Sequence, residues 1–415
     1  MTSPTDIPPA PHGVTLADVE AARERLRPHL PPTRMARSAR LSAQWGCEVW
    51  FKYENLHETG SFKERGALNR LLQMDESSRA RGVISASAGN HGRALAHHAQ
   101  RLGIPCTVVM PLNSPLVKVQ NTRASGARVE LHGGSFDEAA ARARELCAAE
   151  GLTYVHGFDD AAIIAGQGTC ALEMLEVVPD LDCVVVAVGG GGLIAGIATV
   201  LKQSRPGIRV VGVQFEGIPS MMQALAEGHP VTVAPHRTIA DGIAVRQVGE
   251  LCLHLVEDHV DEIVTVGEPE IANAILLMLE RDKTVVEGAG AVGVAAMHNG
   301  LVRGVEGRKV CVVLGGGNID VNVLARVIEK GLVKDGRLVR LRVVVPDYPG
   351  QLARILDIVA EARANILEVN HARAFSPAQV GETMIDITLE TRGEEHIAAI
   401  QEELAAHGTR TERCS

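Results

Sequence analysis

Aromatic residues are scarce. Two Trp, three Tyr and six Phe make up 3% of the 415 residues, so the core has to be built from Val, Leu, Ile and Ala. No stretch approaches the roughly 18 uninterrupted apolar residues of a membrane-spanning helix, and the first nine residues, Pro-rich and polar, hold no apolar signal core. A soluble, cytoplasmic protein with no membrane partner is the expectation. Basic residues do not dominate either: 41 Lys+Arg stand against 50 Asp+Glu for a net charge of -9, and no basic patch points to nucleic acid. The eight cysteines (Cys47, Cys106, Cys147, Cys170, Cys183, Cys252, Cys311 and Cys414) form no C-x-x-C pair and sit mostly in apolar runs. They read as reduced, buried thiols rather than a disulfide framework or zinc site. The 16 histidines are dispersed without an H-E-x-x-H. The adjacent His97 and His98 diverge on a helix, so no metal site is expected.

What is present is an ordinary globular balance, 46% hydrophobic and 22% charged, in a chain too long for one core. Residues 1–14 read as a disordered tail. Thr15 reads as the cap of a helix to about Arg27, and Cys47–Glu54 as a strand. Strand and helix then alternate: strands at Val83–Ser85, Cys106–Met110, Arg128–Leu131, Cys183–Val188, Arg209–Gln214, Glu262–Val266 and Lys309–Leu314, with helices at His91–Leu102, Pro115–Ser125 and, opened by a Ser135/Glu138 capping box, to Ala149. Short β-branched runs between helices predict parallel sheets covered on both faces. The expected division is a large α/β domain (15–50 and 154–332) with a small α/β domain (51–153) inserted. After residue 337 the pattern becomes β-α-β-β-α-β, with strands at Leu338–Val345, Asn365–Ala374, Glu382–Glu390 and the chain end. Helices at Pro349–Ala364 and Glu394–Ala406 complete a ferredoxin-like α+β module over 338–415.

Four loops could carry chemistry. In Gly60-Ser-Phe-Lys63, a lysine ends a turn and opens a helix. A primary amine is the group that forms and exchanges an imine with an aldehyde cofactor, although most lysines are solvated surface charges. The apolar strand Val184–Val188 runs into Gly189-Gly190-Gly191-Gly192 and then a helix from Leu193, a cradle for phosphate beside the positive end of a helix dipole. Gly288-Ala-Gly290-Ala-Val-Gly293 satisfies the dinucleotide pattern G-x-G-x-x-G. It lacks a clean surrounding βαβ unit, so close packing of a helix N-terminus explains it better. In Ser85–Gly92, Ser87 and the 88–91 amides make a nest for a carboxylate, or a plain helix cap.

Taken in order, Gly-Ser-Phe-Lys63-x-Arg-Gly-Ala, Ser-Ala-Gly-Asn90-His, the four glycines with Leu193, Ala-Asp-Gly242 and Gly-Gly-Asn-Ile-Asp320 closely resemble the fold-type II pyridoxal-phosphate enzymes. Within them the set is most similar to the threonine ammonia-lyases (threonine dehydratases) and their serine racemase relatives. The likeness covers about residues 15–332, and the tail with Pro346-Asp-Tyr-Pro-Gly350 resembles an ACT domain. The resemblance implies a tryptophan-synthase-β-like catalytic fold and pyridoxal 5'-phosphate as cofactor. It implies that Lys63 holds the cofactor and takes the substrate Cα proton, with Phe62 packed beside the ring. Asn90 would bond the ring hydroxyl. Gly189, Gly190, Gly191, Gly192 and Leu193 would bind the phosphate, Gly242 and Glu287 would line the pocket, and Ser87, Ala88, Gly89, Asn90 and His91 would form the substrate loop. The implied reaction is α,β-elimination of L-threonine to 2-oxobutanoate and ammonia, with L-serine overlapping because one methyl discriminates weakly.

Three departures from the family pattern stand out. Ala88 replaces the serine that racemases use as a second proton donor, which favours a lyase. Gly315 stands where relatives place Ser or Cys against the pyridine nitrogen. Gln214 and Ser220 stand where metal-binding relatives carry acids. In the tail, Tyr348, Gly350 and Asn365 are candidate contacts for an isoleucine or valine effector, with a structural or oligomerising role equally open. A homo-oligomer is expected. Competing readings are a serine or hydroxyaspartate dehydratase, a serine racemase-like enzyme, a β-replacement enzyme, a nicotinamide oxidoreductase using 288–293, and a non-catalytic amino-acid sensor.

Overall fold

The computed structural model describes residues 13–372 and 379–414. Most of the expected tail (1–12) and the end of the expected strand beyond Ala372 lie outside them. The chain divides into two compact units, 1–319 and 320–415.

The first unit holds two sheets. The larger has six strands, in the order Met35–Arg37, Glu48–Lys52, Lys309–Val313, Cys183–Ala187, Arg209–Phe215 and Glu262–Val266. All pairs are parallel except the first. The smaller is fully parallel, in the order Arg128–Leu131, Cys106–Met110, Val83–Ala86 and Thr153–Tyr154. Its residues fall between strands of the larger sheet, so one α/β sheet is inserted into another. Strand Glu48–Lys52 belongs wholly to the larger sheet and Thr153–Tyr154 to the smaller, so neither edge of the expected 51–153 insertion marks a break between them. The core is aliphatic throughout, with Val184, Val186, Ile194, Ile197, Val200 and Val210 fully enclosed, as the shortage of aromatics requires.

Local signals fix several element ends. Thr15 and Asp18 form a reciprocal capping box at the start of Leu16–Leu26, and Ser135 and Glu138 do the same for Phe136–Glu150. Asp160 caps the long helix Ala161–Val177 through the amides of Ala162 and Ile163.

That helix positions the site. It crosses Lys63–Leu72 so closely that a Cβ on Gly166 would sit 2.7 Å from the Cα of Gly66. Two residues on, it crosses Gly192–Ser204, where a Cβ on Gly196 would lie 2.7 Å from the Gly168 nitrogen. Glycine inside a helix costs about 1 kcal/mol relative to alanine, and here backbone contact requires it. The lysine helix and the glycine-loop helix are thereby held on one support.

The second unit contains the helix Val321–Lys334, most of which falls within the expected large domain to 332. Its antiparallel sheet runs in the order Asn365–Ala372, Glu382–Glu390, Leu338–Pro346, Arg410–Cys414. Helices Gln351–Glu361 and Glu394–Ala406 pack Ile355, Val359, Ile397 and Leu404 against Val343, Ile385 and Ile387. The β-α-β-β-α-β order is the expected one.

Candidate active site

Lys63 is the first residue of its helix. The turn before it is tied to the Gly315–Gly317 loop: Phe62 donates its amide to Gly315 O at 3.0 Å, Gly317 donates to Gly60 O at 3.0 Å, and Ser61 bridges Gly316. Lys63 Nζ donates to the carbonyl of Gly157 at 2.6 Å and stands 5.1 Å from the centre of the Phe62 ring. Burial pushes the Lys63 ammonium down to about 8, against the opposing pull of Cys252 and Glu287. A lysine so placed is neutral far more often than a surface one.

Below Lys63 lies a buried ion network. Arg65 donates to both oxygens of Glu54, at 2.6 and 2.8 Å, and to both of Glu173, at 2.6 and 2.8 Å. Lys52 also meets Glu173, and His57 meets Glu54. Burial works against the Glu54 carboxylate, but Arg65 and His57 hold it well below its usual range. Paired this completely, the charges are tolerable in the interior.

The partner of Lys63 belongs to a strap, His156–Asp160, that sequence reasoning missed. His156 Nδ1 accepts the amides of Phe158 (3.3 Å) and Asp159 (2.8 Å), which keeps that nitrogen unprotonated. The Phe158 ring lies edge-on to His156 and against the glycine loop. The Asp159 carboxylate accepts the amides of Glu250 and Cys252 at 3.1 and 3.0 Å, capping the helix Glu250–His259. The available signal was a rare phenylalanine followed by two acids, directly after a strand.

The glycine loop follows strand Cys183–Ala187 and opens the helix Gly192–Ser204. A Cβ on Gly190 would come within 2.4 Å of the Phe158 ring, and Gly191 has φ +102°, so neither position accepts a side chain without rearrangement. Among the described residues, the amides of Gly189, Gly190 and Gly191 reach no protein acceptor, and the next ones are the free first-turn amides of the helix.

Around the pocket, Asn90 Nδ2 donates to Glu287 Oε1 at 2.6 Å, and Asn90 Oδ1 accepts from Asn318 Nδ2 at 2.8 Å. Glu287 is buried and its carboxyl is pushed up to about 7, chiefly by burial and then by Asp241, with Asn90 opposing. Gly242 and Gly316 both face the same Glu287 oxygen. The Ser87 hydroxyl accepts the amides of Gly89 and Gly92, so it also serves as a cap for the helix Asn90–Arg101. His91 turns Nε2 to Val155 O at 3.2 Å, leaving its buried Nδ1 unpartnered. Burial and nearby Lys63 push its pKa down to about 3. A Cβ on Gly315 would lie 3.4 Å from the Phe62 ring and 4.0 Å from Leu193.

Residues 26–316 match the family described as pyridoxal-phosphate dependent enzyme. The chain belongs to that family. Among relatives of this pyridoxal-phosphate enzyme, the L-threonine ammonia-lyase of Thermotoga maritima is 48% identical over 395 residues, covering 95% of this chain and 98% of its own. Among solved structures, the serine racemase of Dictyostelium discoideum superposes with a TM-score of 0.70 at 33% identity, covering 74% of this chain and 99% of its own. The processed form of threonine deaminase isoform 2 from Solanum lycopersicum gives 0.72 at 34%, covering 79% and 93%.

The residues present fit pyridoxal phosphate. An anion cradle of unpartnered amides stands at a helix N-terminus. A lysine of lowered pKa and an amide-bearing Asn90 converge from other elements of the same unit.

Lys63, Phe62, Leu193 and Gly315 are thus brought together, as are Asn90, Glu287, Gly242 and Gly316, with Gly189 beside Gly242. Gly288–Gly293 lies inside the buried helix Gly288–His298, where Cβ atoms on Gly288 and Gly290 would strike the carbonyls of Ile239 and Gly316. Those glycines serve packing. Gln214 and Ser220 are buried and bonded to backbone, Gln214 to Val188 O and the Met222 amide, Ser220 to Val245 O. Tyr348, Gly350 and Asn365 lie in the second unit.

Proposed function

We propose that this enzyme is an L-threonine ammonia-lyase, converting L-threonine to 2-oxobutanoate and ammonia with L-serine as a secondary substrate. Overall, threonine loses water and regains it when ammonia is released. The observation that carries the reading is Lys63, with its lowered pKa and its amine aimed by the Gly157 carbonyl. The 48% identity to an L-threonine ammonia-lyase along 95% of the chain supports the substrate.

Bound pyridoxal phosphate supplies the electron sink that lets an amino-acid Cα give up its proton. The protein does the rest. Lys63 anchors the cofactor and, as the free amine, takes the Cα proton, with Gly157 accepting one of its N–H groups. The amides of Gly189 to Gly192 and Leu193 hold the phosphate, and Phe62 packs beside the ring. Asn90 bonds the ring hydroxyl, and Gly242, Glu287 and Gly315 line the pocket. The amides of the Ser87–His91 loop receive the substrate carboxylate. The larger sheet leads into the glycine loop, and the smaller sheet carries the Asn90 loop.

A racemase reading has the Dictyostelium neighbour in its favour. Ala88 weighs against it, because a methyl group cannot deliver a proton to the face opposite Lys63. We further read the second unit as an ACT-like module, the protein as a cytoplasmic homo-oligomer, and Tyr348, Gly350 and Asn365 as contacts for isoleucine or valine.

The test is the visible spectrum of the purified protein before and after L-threonine, beside Lys63→Ala. A cofactor band that shifts with threonine while 2-oxobutanoate accumulates, both lost in the variant, is expected. A band that answers only to another amino acid would overturn the substrate. Interconversion of L- and D-serine without net ammonia release would install the racemase instead.

A further inference from the structure

The two ends of an asparagine amide look alike, and their orientation has to follow from their partners. Around Asn90 the partners leave one solution. The Thr59 carbonyl can only accept, and it lies 2.7 Å from Asn318, so the facing atom is Nδ2. The Arg93 guanidinium can only donate, and it reaches the other end of that amide, Oδ1, at 2.8 Å. Asn318 Nδ2 also lies 2.8 Å from Asn90, so the atom it meets is Oδ1. Asn90 Nδ2 is left facing Glu287 Oε1 at 2.6 Å. Donation therefore runs one way, from Arg93 to Asn318 to Asn90 to Glu287.

Arg93 sits three residues beyond Asn90 in the helix Asn90–Arg101, partly buried. Among the described residues it pairs with no carboxylate, and its guanidinium is directed at a neutral amide instead. A cation at the head of a hydrogen-bonded chain polarises each amide in turn, so Asn90 becomes a stronger donor. The Gly315 position, which the family resemblance sets against the pyridine nitrogen, offers no such lever. Gly315 has no side chain, and a Cβ there would meet the Phe62 ring at 3.4 Å.

We propose that Arg93 is a positioning residue for the cofactor. Through Asn318 it holds the Asn90 amide with its N–H groups turned into the pocket and strengthens them, so that the protein controls the ring from its hydroxyl edge. The inference rests on the reading of Asn90 as the contact to that hydroxyl.

The test uses the holoenzyme and two readouts, the cofactor dissociation constant and the pH midpoint of the visible band, for Arg93→Met, Arg93→Lys, Asn318→Asp and Asn90→Ala. Arg93→Met is expected to weaken cofactor binding about tenfold. It should also raise the midpoint by about half a pH unit, because a weaker donor favours the ionised ring hydroxyl less. Arg93→Lys, keeping charge and a donor, should recover most of both. Asn318→Asp removes the donor to Asn90 and should reproduce the Arg93→Met result, and it decides the matter if Arg93→Met fails to fold. Unchanged affinity and midpoint in Arg93→Met, or equal losses in the Met and Lys variants, would overturn the proposal. If Asn90→Ala binds cofactor normally, the underlying reading of Asn90 fails. If Asn90→Ala is weakened and Arg93→Met is not, the inference about Arg93 fails alone.

Discussion

At the scale of single residues, burial decides the chemistry. Burial pushes the Lys63 ammonium from the ordinary 10.5 down to about 8, so its amine in the cofactor-free chain should become reactive about 2.5 pH units early. Acylation of Lys63 across pH, followed by peptide mass spectrometry, should show a midpoint near 8, whereas one near 10.5 would mean a solvated lysine. Glu287 is displaced in the opposite sense, from 4.5 to about 7. Its folded pKa is the higher one, so the protonated carboxyl contributes fully below about 4.5 and the contribution is lost as pH rises through about 7. The loss amounts to about 3 kcal/mol. Urea denaturation of the cofactor-free chain should show it between about pH 4 and about pH 8, and Glu287→Gln should abolish it. An identical slope in the variant would refute the assignment. The proposed site residues Lys63, Asn90 and the glycine loop were legible in the sequence because they fall in motifs that resemble those of the family. Arg93, Asn318 as a relay, and Gly157 were not, because a backbone carbonyl has no residue signature and an amide relay exists only once three loops meet.

At the scale of elements, the helix beginning at Lys63 is held from below by charge and from the side by glycine. Arg65→Met leaves Glu54 buried and half-paired. It should cost about 3–5 kcal/mol of stability, read as a lowered urea midpoint. A change under about 1 kcal/mol would mean that water enters the site. The strap and the glycine loop form the second coupling. Gly190→Ala would drive a Cβ into the Phe158 ring and should weaken cofactor binding about tenfold or more. Gly190→Ala with Phe158→Leu should regain part of it. Equal losses in the single and double variants would show that the ring is not the obstruction.

At the scale of the whole chain, there are two compact units. The Thermotoga relative aligns over 395 residues, well beyond residue 319, so the second unit is part of the shared architecture. Isoleucine or valine at millimolar concentration should shift the melting temperature and depress the threonine rate. Ligand in hundredfold excess over its dissociation constant stabilises by about 2.7 kcal/mol, which a melting curve resolves. If neither amino acid moves either quantity, the effector reading of Tyr348, Gly350 and Asn365 fails.

The sequence by itself determined the alternation of strand and helix, the insertion of one sheet in another, and the ferredoxin-like order of the tail. These follow from hydrophobic period and capping, which are local. It also marked Lys63 and the glycine loop as candidates, since each falls in a short motif that resembles the family's. Tertiary structure decided the rest. It showed that Gly288–Gly293 packs a helix against neighbouring backbone rather than opening a nucleotide site. It assigned Val321–Lys334 to the second unit, and it brought Gly157 to Lys63 and Arg93 to Asn318. Those pairings span 94 and 225 positions along the chain, and contacts of that range are set by how sheets and helices stack, which no local pattern encodes.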